Sequence, residues 1–272
     1  PKTGGAKQAP VDAGREELGE ELMGDKGGSI HASEPATCEM RVMVSSPGYD
    51  PDELVGRDRG NNYSKLLRNP RHPLFNRGVM SRYPPGSTFK LVNGLIALQE
   101  GVITPSQRYP CHGGYTIGRG VKCHNHPSPV SLQQAVQMSC NTYFCYALRN
   151  ILDNDRYAST KDAFDVWNDY VYSFGFGRRL GSDLAGELSG FVPTRATYDR
   201  IYHGRWNSLM VISLSIGQGE LGCTPLQMAN LAAILANRGL YYTPHNVRHI
   251  EGRDSLDVRF YEKQYTKVAR GG

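Results

Sequence analysis

The pattern of apolar and polar positions divides the chain into strand-like ends and a helical middle. Short apolar runs at Ser29–Ser33 and Met40–Ser46, joined by the turn-forming stretch EPATCE, predict a β-hairpin. Residues 87–100 are apolar on nearly all sides, which predicts a buried helix that stops at Gly101. Strand-like character returns in DSLDVRFYEKQY. This order predicts an α+β fold, in which helices pack on an antiparallel sheet that is incomplete within these residues.

Between these ends the pattern predicts further helices. SLQQAVQMSCNTYFCYALRNIL indicates two helices with a break around Ser139, and AFDVWNDYVYSFGFG indicates a short one. Thr224-Pro225 has the residue types of an N-cap and first helical position, for a helix that runs to Gly239. Residues 15–24 predict one or two helical turns, and residues 102–130 predict a loop. We therefore expect a linker and lead-in at residues 1–24 and a partial domain at residues 25–272, with a helical subdomain at about residues 87–240.

Composition excludes some function classes. The net charge of +5 is spread along the chain without a basic stripe interleaved with aromatics, so we expect no nucleic-acid binding. No run approaches the roughly 18–20 apolar residues of a membrane span. The first residue is Pro rather than Met. We therefore expect a piece of a longer protein, in which any membrane anchor would lie in a segment that this chain lacks.

The stretch RYPPGSTFK places a nucleophile candidate beside a base candidate. Ser87 begins the buried helix, and Lys90 follows one turn later on the same face. Burial should lower the pKa of Lys90 toward neutrality, and a neutral amine can accept the hydroxyl proton of Ser87. The alternative is a Ser at a helix start and a Lys that reaches solvent. The Ser-x-x-Lys spacing alone does not decide between them.

A second element, Ser139-Cys140-Asn141, lies at the predicted helix break. Ser-x-x-Lys followed by Ser-x-Asn forms two of the three elements of a known active-site set. A hydroxyl near the lysine can relay a proton to a leaving amine, and the Asn141 amide can hold a substrate backbone. For Ser139 alone, a helix cap is the alternative.

The segment Gly217-Gln-Gly-Glu-Leu-Gly222 matches the dinucleotide-binding pattern G-x-G-x-x-G, which offers a different enzyme class. That class needs an acidic residue about 20 positions later to bind the ribose, and no Asp or Glu occurs between Glu220 and Glu251. The helix also begins after the third glycine. We therefore favour a tight turn beside the active site.

With these elements in this order, the chain resembles the transpeptidase domain of class B penicillin-binding proteins of the elongation type, penicillin-binding protein 2. The resemblance rests on NRGVMSRYPPGSTFK, SLQQAVQMSCNTYF and RWNSLMVISLSIGQGELGCTPLQMANLAAILANRG. It implies the sheet-and-helix fold shared with serine β-lactamases. It also implies roles for the site: Ser87 as acylated nucleophile, Lys90 as base, Ser139 as proton relay, Asn141 as substrate clamp, and Gly217, Gln218 and Gly219 beside the substrate.

The resemblance implies a D-Ala-D-Ala transpeptidase that cross-links peptidoglycan stem peptides in cell-wall elongation. Ser87 would attack the penultimate D-Ala carbonyl, and β-lactams would trap the same serine. No cofactor is required, the partners are the elongation machinery, and the longer protein would be anchored in the inner membrane and face the periplasm. The alternative within the same fold is a β-lactam-sensing or catalytically inactive binding module.

The third element of the set, Lys-Thr-Gly, departs from the family pattern. In the family it lies on a strand well after the Gly-Gln-Gly turn, so we expect it beyond Gly272 and the domain to be truncated there. Lys2-Thr3-Gly4 lies at the other end, without the strands that should follow it. The family strand supplies half of the oxyanion hole, whose donors are typically worth about 3–4 kcal/mol each. We therefore expect this polypeptide to be acylated poorly or not at all.

Cysteines and histidines cluster between the first two elements and at the second. Thiolate and imidazole are good zinc ligands, and elongation-type relatives that carry a metal near this loop favour a structural zinc ion. The ligands would be Cys111, Cys123, His126 and Cys140. A Cys111–Cys123 disulfide, or free thiols in a loop, is the other interpretation, and the sequence leaves these open. Elsewhere, Cys38 stands where the family usually has Gly, and His31 interrupts a normally apolar strand.

Overall fold

The structure, a computed structural model, describes residues 7–8, 12–252 and 255–268. Lys2-Thr3-Gly4 therefore lies outside the described residues. The helices are α1 (Ala13–Met23), α2 (Arg59–Arg68), α3 (Arg77–Met80), α4 (Lys90–Gln99), α5 (Leu132–Gln137), α6 (Asn141–Leu152), α7 (Thr160–Ser173), α8 (Arg195–Ile201) and α9 (Pro225–Ala236). The described residues also form the 3-10 helices η1 (Pro51–Leu54), η2 (Gly86–Phe89), η3 (Ser208–Ile216) and η4 (Val258–Phe260).

The strands are short and pair in twos. They are β1 (Lys7–Gln8), β2 (Gly28–Ser33), β3 (Met40–Ser46), β4 (Arg108–Tyr109), β5 (Gly114–Tyr115), β6 (Val121–Lys122), β7 (Val130–Ser131), β8 (Leu240–Tyr241), β9 (His249–Ile250) and β10 (Gln264–Tyr265). Every sheet in the described ranges is a two-stranded antiparallel ladder. Within the same ranges, no helix is both long enough and apolar enough to span a bilayer.

The chain forms two compact units. The first comprises the described residues within Pro1–Arg82, Arg178–Gly190 and Thr224–Tyr265, and the second comprises those within Tyr83–Gly177, Phe191–Cys223 and Thr266–Gly272. All the residues to which the sequence assigns chemistry by resemblance, from Ser87 to Gly219, belong to the second unit. The predicted boundary between residues 24 and 25 stays a prediction.

The first unit contains the predicted hairpin. β2 and β3 pair antiparallel from Gly28↔Ser46 to Ser33↔Met40, and alternate residues of β3 are buried. Helix α1 begins earlier than predicted because Asp12 caps it, and it packs on β3 through Gly19, where a Cβ would lie 2.9 Å from Val44 Cγ2. The predicted residues 15–24 cover α1 except for its first two residues.

His31 is the titratable residue inside strand β2. Its ring lies against Gly78, where a Cβ would overlap the imidazole. Both ring nitrogens are shielded from solvent and have no hydrogen-bond partner among the described residues. Burial lowers the pKa of His31 to about 4, so the imidazole is neutral at physiological pH.

The second unit is built around α4. Val92, Ile96 and Ala97 have no exposed surface, as the apolar pattern predicts. Phe89, directly before the helix, packs edge-on against Trp167 and Phe176 with ring centroids 6.3 and 5.5 Å away. The helix stops at Gly101 as expected, with a left-handed φ of 68°. This buried helix carries Lys90 at its first position and so holds the candidate catalytic base in place.

Two sequence predictions differ in detail from the structure. Residues 102–130, expected to be loop, form the ladders β4–β7 and β5–β6, whose two-residue strands are too short to show a period. In DSLDVRFYEKQY, the described part forms the 3-10 helix η4 and only the short strand β10, which pairs with β8. The predicted break around Ser139 is confirmed, because α5 ends at Gln137 and α6 begins at Asn141.

Candidate active site

Ser87 and Lys90 lie on consecutive turns with opposite exposure. Ser87 belongs to the 3-10 turn η2, which begins at Gly86 with a left-handed φ of 61°. Ser87 is exposed, whereas Lys90, at the first position of α4, is only 2% exposed. The local sequence therefore presents a hydroxyl to solvent and draws the amine one turn later into the interior.

The amine of Lys90 binds the second sequence element. Its Nζ donates to Ser139 O at 2.7 Å, to Ser139 Oγ at 2.9 Å and to Asn141 Oδ1 at 2.6 Å. These three acceptors match the three donors of an ammonium group. Among the described residues, no hydrogen bond joins Lys90 to the hydroxyl of Ser87. The structure thus brings Lys90, Ser139 and Asn141 into direct contact, with Ser87 one turn away.

Burial is the main influence on the protonation of Lys90. Desolvation lowers the pKa of Lys90 below its ordinary value, while the neighbouring thiols of Cys123, Cys140 and Cys145 partly oppose the shift. A lowered pKa increases the fraction of neutral amine at physiological pH, which is the form able to accept a proton.

Ser139 has a left-handed backbone with a φ of 51°. This conformation costs a residue with a Cβ about 1–2 kcal/mol, and it occurs between two helices where the chain must turn. It directs both the carbonyl and the hydroxyl oxygen of Ser139 toward Lys90. The break was predictable from the sequence, but the backbone conformation was not.

Asn141 connects the site to the preceding loop. Besides accepting from Lys90, its side chain donates through Nδ2 to Lys122 O at 2.8 Å. Its backbone N–H donates to Cys123 Sγ at 3.3 Å. Both ends of the Asn141 amide are therefore held by the protein, which fixes the orientation of the side chain.

The Gly-rich turn, Gly217–Gly219, lies against the 3-10 turn η2, which carries Ser87 and is called the serine turn below. Gly86 N–H donates to Gly217 O at 2.9 Å, and a Cβ placed on Gly86 would lie 3.9 Å from Gln218 Nε2. At Gly219 a Cβ would come within 2.5 Å of Ser213 Oγ. The apolar run before this turn is the 3-10 helix η3 rather than a strand. The dinucleotide interpretation needs a strand there, so it is wrong.

Two buried side chains that the sequence interpretation missed support the turn. Asn93 hydrogen-bonds the last residues of η3, and Tyr198 donates its hydroxyl to Glu220 Oε2 at 2.7 Å. A single amide inside an apolar helix was the available signal for Asn93. Nothing in the sequence indicated Tyr198, because its contact depends on the packing of distant segments.

The four cysteine and histidine residues proposed as metal ligands form one cluster. The ligand atoms of Cys111, Cys123, His126 and Cys140 all lie within 4.8 Å of one another. Tetrahedral sulfur ligands about 2.3 Å from a zinc ion lie about 3.8 Å apart, so three sulfurs and one nitrogen at this spacing fit zinc. His126 Nδ1 lies 2.8 Å from Pro127 O, which leaves Nε2 directed at Cys123 Sγ, 3.5 Å away.

The thiols of this cluster form no disulfide bond in the structure, and their pKa values differ. All six cysteines are free, so the structure does not contain the Cys111–Cys123 disulfide. Burial raises the pKa of Cys140 to about 12. Burial also disfavours the Cys111 thiolate, but hydrogen bonds from Thr142 and the neighbouring thiols outweigh it and lower the pKa of Cys111. A cation in the cluster would favour thiolate at every cysteine.

Comparisons with a family model and with single relatives agree on the kind of protein that this chain is similar to. Residues 28–270 match the family described as the penicillin binding protein transpeptidase domain. The peptidoglycan D,D-transpeptidase MrdA of Acinetobacter baumannii is 31% identical over 272 aligned positions, which cover 95% of this chain and 38% of the relative. The chain therefore spans well under half the length of that relative.

Solved structures of similar proteins share the fold. The crystal structure of Pseudomonas aeruginosa PBP2 in complex with WCK 5153 is 30% identical with a TM-score of 0.82, and covers 97% of this chain and 56% of that chain. The ceftriaxone acyl-enzyme complex of penicillin-binding protein A from M. tuberculosis is 26% identical with a TM-score of 0.76, and covers 98% and 60%. The predicted α+β fold is confirmed.

Proposed function

The chain belongs to the penicillin binding protein transpeptidase domain family, and on that basis we propose that Ser87 is the acyl acceptor of a peptidoglycan D,D-transpeptidase. The observation that carries the proposal is the buried Lys90 amine, hydrogen-bonded to Ser139 and Asn141 one turn after an exposed serine. The roles of these four residues are part of the proposal.

The proposed reaction assigns one task to each group. Ser87 Oγ attacks the penultimate D-Ala carbonyl of a stem peptide, and Lys90 in its neutral form takes the hydroxyl proton. The C–N bond to the terminal D-Ala breaks, and the proton passes through the Ser139 hydroxyl, 2.9 Å from Lys90 Nζ, to the leaving amine. The amine of a second stem peptide then attacks the ester, its proton returns to Ser87, and the cross-link forms.

Substrates, partners and location follow from the same proposal. Stem peptides are the substrates, and β-lactams acylate Ser87 in their place. The longer protein works with the cell-wall elongation machinery, as the elongation-type sequence pattern and the similarity to MrdA support. It is anchored in the inner membrane with this domain in the periplasm.

The chemistry requires no cofactor, and we propose a structural zinc ion in the Cys111, Cys123, His126 and Cys140 cluster. The support is the donor set and the spacing of its atoms. Bound zinc would hold the four side chains together as thiolates and a neutral imidazole. Because the backbone N–H of Asn141 bonds Cys123 Sγ, these residues also hold the segment that binds Lys90.

Penicillin labelling tests the proposed function. Residues 5–272 contain no Lys-Thr-Gly, so we expect slow labelling of the 272-residue chain by a fluorescent penicillin, and rapid labelling would contradict that expectation. The decisive protein is a chimaera in which residues 28–270 replace the matching segment of Acinetobacter baumannii MrdA. We expect mass spectrometry to find the adduct on Ser87 and no adduct after Ser87→Ala.

Two outcomes would change the conclusion. A folded chimaera that takes no label at Ser87 would overturn the proposal. An acyl-enzyme that forms at Ser87 but never passes its acyl group to an acceptor amine would indicate a β-lactam-sensing module instead.

A further inference from the structure

A buried amide joins the helix that carries Lys90 to the segment before the Gly-rich turn. Asn93 has no exposed surface. Its Nδ2 donates to Leu214 O at 3.0 Å and to Ser215 O at 3.1 Å. Its Oδ1 accepts from Trp167 Nε1 at 2.9 Å. One side chain therefore connects α4, η3 and α7.

The position of this amide is unusual for its helix. The neighbours of Asn93 along α4 are apolar or glycine, and an unpaired amide in such surroundings is strongly disfavoured. The carbonyls it binds lie at the C-terminal end of a 3-10 helix, where backbone acceptors lack partners within the helix. Asn93 thus supplies Leu214 O and Ser215 O with a donor that an apolar residue of the same size would remove.

A short series of hydrogen bonds leads from Asn93 to the serine turn. Leu214 O, which accepts from Asn93, also accepts from Gly217 N–H at 3.2 Å. Gly217 O in turn accepts from Gly86 N–H at 2.9 Å. Ser87 is the next residue. Asn93 also lies one turn after Lys90 on the same helix, so both the base and the serine turn are tied to it.

We infer that Asn93 is a positioning residue for acylation, which holds the Gly217–Gly219 turn against Gly86 and so fixes the presentation of Ser87 relative to Lys90. Its effect on acylation rests on the proposed function, whereas its effect on the turn does not. Asn93 is too deeply buried to touch a substrate, so it acts only through the backbone of the turn.

Amide hydrogen exchange in the 272-residue chain tests the structural part of the inference, that Asn93 holds the Gly217–Gly219 turn against Gly86. Asn93→Leu removes the hydrogen bonds and keeps a similar side-chain size. Asn168→Leu is the matched control, because Asn168 is also buried, at 5% exposure, but among the described residues its amide donates only to Phe164 O within its own helix. The exchange rate of Gly86 N–H is compared with that of Ala97 N–H in α4 as an internal reference. We expect this ratio to rise at least about 10-fold in Asn93→Leu and to be unchanged in Asn168→Leu.

A milder variant covers the case in which Asn93→Leu does not fold. Trp167→Phe removes the donor to Asn93 Oδ1 but leaves both Leu214 and Ser215 contacts in place, so we expect a smaller acceleration, of about 3-fold. Unchanged exchange at Gly86 in the folded Asn93 variant, or in Trp167→Phe if that alone folds, would overturn the inference. Equal acceleration in Asn168→Leu would overturn it as well.

The chimaera with Acinetobacter baumannii MrdA tests the functional part of the inference, that Asn93 affects the acylation of Ser87. We expect Asn93→Leu to lower the maximal rate of acylation by a fluorescent penicillin about 10-fold while the concentration for half-maximal rate stays within about 2-fold, and Asn168→Leu to leave both unchanged. Faster Gly86 exchange with an unchanged acylation rate would remove the positioning role. If the unsubstituted chimaera takes no label, the proposed function fails, and the exchange result stands independently.

Discussion

The backbone N–H of Gly86 donates to the carbonyl oxygen of Gly217 at 2.9 Å, which joins the residue before Ser87 to the Gly-rich turn. A Cβ at Gly217 would overlap Gly86 O and lie 2.8 Å from both Gly86 N and Phe89 Cβ. Gly217 also has a left-handed φ of 67°. Two independent requirements, close approach and backbone conformation, therefore demand glycine at this position.

Gly217→Ala should destabilise the protein by more than backbone strain alone. Gly56→Ala is the control, because Gly56 has a φ of 76° but no atom of the described part of the chain lies within 4 Å of a Cβ placed there. We expect Gly56→Ala to cost about 1 kcal/mol of unfolding free energy, and Gly217→Ala about 1–3 kcal/mol more from overlap. Urea unfolding measures both, and equal losses would show that the turn relaxes away from Gly86 without cost.

The hydroxyl and the backbone of Ser139 can be separated by two substitutions. Ser139→Ala and Ser139→Gly both remove the Oγ that binds Lys90, but only glycine adopts the φ of 51° without strain. We expect Ser139→Gly to be about 1 kcal/mol more stable than Ser139→Ala. In the chimaera, both should slow penicillin acylation by a similar factor of about 100, since each loses the proton relay. Acylation that recovers in Ser139→Gly would assign the loss to the backbone instead.

Zinc content tests the cysteine and histidine cluster. We expect one zinc ion per purified chain by elemental analysis, and a lower melting temperature after chelation, because the metal binds only the folded state. Cys123→Ser should lower the zinc content, whereas Cys223→Ser, which changes a buried thiol outside the cluster, should not. Substoichiometric zinc that Cys123→Ser leaves unchanged would exclude the site.

His31 should make the protein sensitive to mild acid. Its pKa is about 4 in the folded state and about 6.5 when unfolded, so the unfolded state binds more protons between these values. The stability contributed by neutral His31 is complete above pH 6.5 and decreases as the pH falls toward 4, by at most about 3 kcal/mol.

Unfolding measured from pH 7 to pH 4 tests this dependence. His31→Leu should be less sensitive to pH than the unsubstituted chain over this range. His203→Asn, which replaces an exposed histidine, should retain the full dependence. Identical pH profiles for the unsubstituted chain and His31→Leu would show that the protonated imidazole reaches water or a hydrogen-bond partner in the folded state without loss of stability.

Local sequence signals predicted the elements that depend on neighbours in the chain. The β2–β3 hairpin, the buried helix after Ser87, its stop at Gly101 and the break at Ser139 all follow from short-range periodicity and turn chemistry. The ladders within residues 102–130 were missed, since strands of two residues carry no periodic signal.

The sequence alone determined which residue types are available at the site and in what order, because side-chain chemistry and spacing along a helix are local properties. That is why Ser87, Lys90, Ser139 and Asn141 could be named. Only the tertiary structure decided that Lys90 donates to Ser139 and Asn141, that Gly217 meets Gly86, and that Asn93 connects them. These contacts join segments far apart in the chain, and their geometry depends on packing and on backbone conformations, such as the left-handed Ser139, that no local pattern encodes.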